Sequence, residues 1–254
     1  MSLLDPSPLQ PFLTKLTSRS ALDTDGQRAI LALPAHPVQI KTNRDFVRLG
    51  ERVDHSCFVV EGLIARFGQN REGSRQITAV HIPTDMIDLH SVVAPDACSA
   101  LQALTVSTIL RVPHAALREA ARRHPAVAEA FWRECVVDAA VLAEWVVNVG
   151  RRDAISRMAH LLCEIACRAE SAGRAANDRF DFPATQTHVA DMLGLTPVHV
   201  NRTFQRLKAE RLIRIEHRTV HVVDWEGLAF LGDFDAGYLR IAPSQVPGRR
   251  RWTN

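Results

Sequence analysis

The chain has 254 residues, of which 46% are apolar and 23% charged, with a formal net charge of +3. That length supports one large domain or two modest ones with their own cores, and the apolar share excludes an intrinsically disordered chain. A charge excess this small does not identify an acidic partner, so placement must: both basic clusters, Arg202 with Arg206, Lys208, Arg211 and Arg214, and the run Gly248–Arg251, fall late in the sequence.

The opening "MSLLDPSPLQPF" has no basic segment followed by an apolar one, so no signal peptide is expected. No uncharged apolar run approaches the roughly 20 residues of a membrane helix. The five cysteines, Cys57, Cys98, Cys135, Cys163 and Cys167, are odd in number and scattered. Together these features suggest a cytoplasmic protein with no membrane partner. Residues 6–32 read as lightly helical, with Leu13, Leu16, Leu22, Ile30 and Leu31 as packing candidates. From Val38 to Val112 short β-like runs alternate with turn residues ("VQIKTN", "DFVRLG", "SCFVVEGLIARF", "RQITAVHIP", "ALTVSTILRV"), the texture of a barrel or roll. "EGSR" at Glu72–Arg75 suits a hairpin turn.

Helical texture begins at His114. Its longest piece runs from Pro125 to Gly150, with Val127, Phe131, Cys135, Leu142, Trp145 and Val149 recurring mostly every three to four residues and Asp138 interrupting. A helix this long, apolar on more than one side, buries two faces. One covers its own barrel and the other meets a twin helix, so a homodimer is expected over a monomer with one buried helix. After Gly150-Arg151-Arg152, taken as the domain boundary, "DAISRMAHLLCEIACRAE" forms another helix with Ile155, Met158, Ala159, Leu162, Ile165 and Ala166 on one side. His160, Cys163 and Cys167 share a face of it as soft metal donors or oxidation sensors. Without a fourth ligand or a Cys-x-x-Cys they read as small core residues, and no metal is expected.

The stretch "PATQTHVADMLGLTPVHVNRTFQRLKAERLIRIEHRTVHVVDW" (183–225) carries the most information. Thr185 or Thr187 starts a short helix ending before Gly194, which supplies positive φ for a tight turn. Ala190 is small where two helices cross, and Leu195 plugs their angle. Thr196 caps and Pro197 opens a second helix, held by Val200, Phe204 and Leu207. Leu212–Glu216 and Thr219–Val223 then pair across His217-Arg218 as a wing. This is the logic of a winged helix-turn-helix. The far side of the second helix presents Val198, Asn201, Arg202 and Gln205. Arg matches guanine, and Asn or Gln adenine, in a major groove, so these four are the base-reading candidates. Thr185, Thr187, Thr196, His199, Arg206, Lys208 and Arg218 are the phosphate candidates.

With those motifs the chain resembles the Crp/Fnr transcription factors (cyclic-AMP receptor protein and fumarate–nitrate regulator). "GERVDHSCFVVEGLIARF" resembles the family's β-roll segment, "HIPTDMIDLHS" its Pro-Gly-Asp segment with Thr84 in place of Gly, and "LGLTPVHVNRTFQRLKAERLI" its recognition helix. The resemblance implies an α+β chain: a cyclic-nucleotide-binding-like β-roll (1–124), a dimerisation helix (125–150), a winged helix-turn-helix (151–240) and a basic flexible tail (241–254). It implies a homodimer on a near-palindromic duplex operator, with RNA polymerase a candidate partner near the dimer helix. The effector pocket falls on Asp88, Leu89, Cys98 and Ser99. There Cys98 replaces the arginine that grips a cyclic phosphate, which removes a charge-assisted contact, so a response to cyclic AMP is not expected and the effector is open. The first cysteine is Cys57, so the family's N-terminal iron–sulfur cluster is not expected either. Val198 replaces a common Glu and turns preference from cytosine N4 toward a thymine methyl. The competing reading is a ligand-binding or enzymatic roll with the helical part as scaffold. It lacks a nucleophile motif, a phosphate-binding Gly loop or HExxH; Asp85, Asp88, His81 and His90 read as a polar rim, and no catalytic residue is expected.

Overall fold

A computed structural model describes residues 7–176, 178–241 and 246–247. In chain order the elements are α1 (Gln10–Thr17), α2 (Thr24–Leu31), β1 (His36–Ile40), β2 (Arg44–Val47), β3 (His55–Glu61), β4 (Ile64–Gln69), β5 (Arg75–His81), β6 (Met86–Ile87), a 3-10 turn (Leu89–Val92), β7 (Ala100–Ala103) and β8 (Ser107–Pro113). There follow α3 (His114–Arg123), α4 (Pro125–Arg151), α5 (Ala154–Ser171), β9 (Ala175–Ala176), β10 (Arg179–Asp181), α6 (Gln186–Leu193), α7 (Pro197–Ala209), β11 (Ile213–Glu216), β12 (Thr219–Val222), α8 (Trp225–Leu231) and a second 3-10 turn (Ala236–Leu239). The basic tail expected at 241–254 falls almost wholly outside the described residues.

The chain folds as two compact units. One holds the described residues up to Ile64 and then His81–Asp138; the other holds Ala65–Val80 and the described residues from Ala139 on. The division falls inside α4, which runs through Gly150 into Arg151.

The first unit is a β-roll with two cores. One sheet has the order β1-β8-β3-β6, with Val59 opposite Ile109 and Cys57 opposite Ile87; β2 pairs antiparallel with β7. Strand alternation sends neighbouring side chains to opposite faces. Val59, Ile87 and Ile109 point inward to meet Val47, Leu101 and Ala103. Phe58, Leu110 and Val112 point outward to α1, α3 and α4. There the Phe12 ring lies 5.9 Å from Phe58 and 6.3 Å from Phe131. A fully buried Phe of this kind stabilises by about 1.5–3 kcal/mol. Gly62 is required where it stands: its φ is +97°, and a Cβ would lie 2.2 Å from Ser107 Oγ. Thr84 also has positive φ, +84°, a backbone that glycine accepts freely and a β-branched residue does not. Backbone bonds from Thr84 N to Val59 O (2.9 Å) and from Asp85 N to Ile82 O (3.1 Å) hold it there.

In the second unit α5 is central. Asp153 caps it by accepting from Ser156 N at 2.9 Å, and Ile155, Met158, Ala159, Leu162, Ile165 and Ala166 are all buried, as their spacing predicts. Its buried face also encloses polar groups. The Glu164 carboxylate accepts from Trp145 Nε1, Tyr238 Oη and Arg168 Nη1, each at 2.9 Å. His160 Nδ1 lies 3.1 Å from Gly232 O and its Nε2 3.2 Å from Tyr238 Oη. A Cβ on Gly232 would come within 2.7 Å of His160 N, so this crossing of α5 and α8 admits only glycine. Cys163 and Cys167 are buried, and loss of hydration pushes both thiols up. β4 and β5 form a hairpin whose turn closes from Asn70 N to Ser74 O at 3.0 Å. Arg168 Nη2 donates to Val80 O at 2.7 Å. The small sheet β11-β12-β10-β9 carries the wing.

Candidate nucleic-acid interface

Residues 185–222 build the interface from local rules. Thr185 Oγ1 accepts from His188 N at 3.2 Å, and His188 Nδ1 accepts from Thr185 N at 3.3 Å, a reciprocal cap that starts α6. Burial lowers the His188 pKa, which keeps that ring neutral and its Nδ1 lone pair available. Gly194 ends α6 in the left-handed region at φ 63°, and Leu195 N donates to Ala190 O at 3.1 Å. Leu195 is only half-buried. Thr196 caps α7 with Oγ1 accepting from His199 N at 3.3 Å, and Pro197 takes the first helical position.

One side of α7 is covered and the other is open. The covered residues are Val200, Thr203 and Leu207. Phe204, expected among them, is only half-buried, beside the wing. Thr203 takes the place with its hydroxyl donating to His199 O at 2.9 Å, and a bonded hydroxyl is tolerated inside. On the open side Val198 is 63% exposed, and Asn201, Arg202 and Gln205 are exposed too. Two grooves flank this ridge. One, of about 500 Å³, lies toward Asp153 and Ile155 and is lined by Val198, His199, Arg202 and Arg206. The other lies toward the wing and is lined by Asn201, Gln205, Lys208, His217 and Arg218 over a floor of Phe182, Phe204 and Ile215.

The phosphate candidates are less uniform. Thr185 and Thr196 spend their oxygen lone pairs on caps but keep an O–H to donate. Thr187, His199 and Arg218 are exposed and Lys208 half-buried. Arg206 Nε donates to Glu210 Oε1 at 2.9 Å, so its charge is partly met along the helix. The wing forms as its alternation predicts, with Glu216 opposite Thr219. His217 holds the turn at φ 57°, and Phe182 N donates to Arg218 O at 2.8 Å. The third strand of that sheet, β10, had no signal in the alternation.

Of the expected effector residues, Asp88 and Leu89 follow β6, and Cys98 and Ser99 precede β7. Leu89 is buried in the outward core with Phe12 and Leu110. Asp88 is half-buried in the left-handed region at φ 54°, Ser99 is half-buried and Cys98 is exposed. The Cys98 sulfur lies 3.9 Å from His90 Nε2.

Residues 156–231 match the family model described as a Crp-like helix-turn-helix domain, and residues 37–124 match the model of the cyclic nucleotide-binding domain. The transcriptional activator protein FnrL of Cereibacter sphaeroides is 30% identical over 185 residues, 70% of this chain and 73% of that protein. The transcriptional activator protein Anr of Pseudomonas protegens is 24% identical over 185 residues, 73% of this chain and 75% of that one. Among solved structures, FixK2 from Bradyrhizobium japonicum matches in fold with a TM-score of 0.72 at 23% identity, covering 80% of this chain and 99% of that one.

Proposed function

The chain belongs to the Crp/Fnr family of transcriptional regulators, and we propose that it works as a homodimer whose two α7 helices read a near-palindromic operator. Asn201, Arg202 and Gln205 meet base edges, and Val198 meets a thymine methyl. Thr185, Thr187, Thr196, His199, Arg206, Lys208 and Arg218 meet the backbone, so affinity falls steeply with salt. The observation that carries this reading is the two-sidedness of α7, with an amide and guanidinium ridge open to solvent directly behind a buried apolar stripe.

The dimer is supported by α4. Trp132, Val136, Ala139, Ala143, Val146 and Gly150 are exposed at alternating spacings of four and three, the pattern of a two-helix seam. Successive major grooves on one face of a duplex lie about 34–36 Å apart, which is the half-site spacing expected of such a dimer. Cyclic AMP is not the signal in this reading, since Cys98 offers a phosphate no guanidinium. No metal, cofactor or catalytic step is assigned. The relatives are named activators, and we extend to this chain a contact with RNA polymerase in the cytoplasm. No helix of the described residues is long and apolar enough to cross a membrane.

The test is selection of binding sites from random duplexes by the full-length protein, with its mass in solution measured in parallel. Enrichment of an inverted repeat by a dimer is the expected result. A chain that stays monomeric and enriches no duplex overturns the reading, and a selected half-site of the family's usual sequence overturns the role given to Val198.

A further inference from the structure

We propose that Gln76, on the β4–β5 hairpin, is a positioning residue for DNA reading: it caps the turn between α6 and α7 from behind and so helps set the angle at which α7 is presented. The inference rests on α7 being the reading helix.

The last carbonyls of any α-helix lack partners within it and carry the negative end of its dipole. At the end of α6 two of them are met from outside the helix-turn-helix. Gln76 Nε2 donates to Met192 O at 2.9 Å, and Arg157 Nη1 donates to Leu193 O at 2.9 Å. Gln76 Nε2 also donates to Ile77 O at 2.9 Å, so both amide hydrogens are engaged and the side chain has one orientation. Both side chains lie against the turn itself: Gln76 Oε1 and Arg157 Nη1 are each 3.7 Å from where a Gly194 Cβ would stand.

The hairpin is fixed at more than this point. The Arg75 guanidinium lies 4.0 Å from Asp191 Oδ2 on α6 and 4.0 Å from the centre of the Phe67 ring on β4. Farther along β5, Val80 O accepts from Arg168, whose other arm holds buried Glu164. One strand thus touches α6, its turn and α5, while Asn201, Arg202 and Gln205 stay exposed. The brace therefore leaves the reading ridge free. A turn that loses one of its two external caps lets α7 swing, and an Arg tip at the end of a long side chain is displaced most.

Full-length protein is titrated with its selected operator and with a scrambled duplex, for wild type, Gln76→Met and Gln76→Lys. Met keeps the length and removes the donor; Lys keeps a donor. The expected result for Gln76→Met is operator affinity lowered about two- to tenfold, the fold-change of one hydrogen bond, with the scrambled duplex bound as before. Faster amide exchange at 193–196 accompanies it, and Gln76→Lys recovers most of the loss. Arg157→Met, which removes the other cap, weakens operator binding in the same direction and serves if Gln76→Met does not fold. The proposal is overturned if Gln76→Met binds operator as wild type does, if both duplexes weaken equally, or if Lys fails to restore binding. A wild-type protein that binds no duplex would instead bring down the DNA reading itself, and the role of Gln76 with it.

Discussion

Helices α5 and α7 present the same kind of pattern in sequence and opposite chemistry in three dimensions. Each sets polar or reactive side chains at helical spacing: His160, Cys163, Glu164 and Cys167 on α5, and Asn201, Arg202 and Gln205 on α7. On α5 those groups are buried: Glu164 is bonded to Trp145, Arg168 and Tyr238, His160 meets Gly232 and Tyr238, and Cys163 and Cys167 pack as small core residues. On α7 they are exposed, and among the described residues no side-chain hydrogen bond or ion pair occupies Asn201, Arg202 or Gln205. Polar groups already met inside the chain hold a core together. Polar groups left open on a rigid helix are available to a ligand. Which case applies depends on what packs against the helix.

The comparison breaks most visibly at Glu164. Glu164→Ala removes the acceptor shared by an indole, a phenol and a guanidinium, leaving the largely buried Arg168 charge without its carboxylate and the Trp145 N–H without its acceptor; loss of about 3–5 kcal/mol is expected, read as a lower denaturation midpoint. Arg202→Ala is the mirror case. Being exposed, it changes stability by no more than about 0.5 kcal/mol, while operator affinity falls by about 1–3 kcal/mol and the scrambled duplex is less affected. If Arg202→Ala weakens both duplexes alike, Arg202 touches only phosphate. Thr196→Ala is smaller: the cap contributes about 1 kcal/mol, and the midpoint falls with a modest loss of DNA affinity.

The same contrast explains what could be read without coordinates. The turn at Gly194, the cap at Thr196, the wing across His217-Arg218 and the open ridge of α7 follow from local chemistry, in which each residue's partner lies within a few positions. The α5 network does not, since Tyr238 is 74 residues from Glu164 and Gln76 is 116 from Met192. Periodicity marks faces but not what covers them. On α4 it singled out Val127, Phe131, Cys135, Leu142, Trp145 and Val149, of which Val127, Phe131 and Trp145 are buried, Cys135 and Val149 half-buried and Leu142 exposed, and it missed the heptad stripe from Trp132 to Gly150, because both stripes are apolar. Phe204 and Thr203 exchange roles because a hydroxyl that bonds the preceding turn is as acceptable inside as a ring.

Acid sharpens the comparison with the smallest effect. His160 has its pKa below the ordinary 6.5, chiefly because burial disfavours the imidazolium and secondarily because Arg152 is near, with Glu164 and Glu144 opposing. Burial lowers His114 and His188 as well. For such groups the unfolded chain takes up protons that the folded chain refuses, so stability rises with pH. The stabilisation is complete above about pH 6.5 and declines as pH falls from there toward the depressed folded values. The denaturation midpoint of the wild type is therefore expected to be flat from pH 8 to 7 and to fall between pH 6.5 and 5. In His160→Gln that fall is shallower, since one of the three groups is gone. A midpoint that instead rises on acidification would mean that the imidazolium is welcome inside, with Glu164 and Glu144 outweighing burial. The α5 cluster would then be an ion-pair network, and its contrast with the open face of α7 would be one of exposure alone.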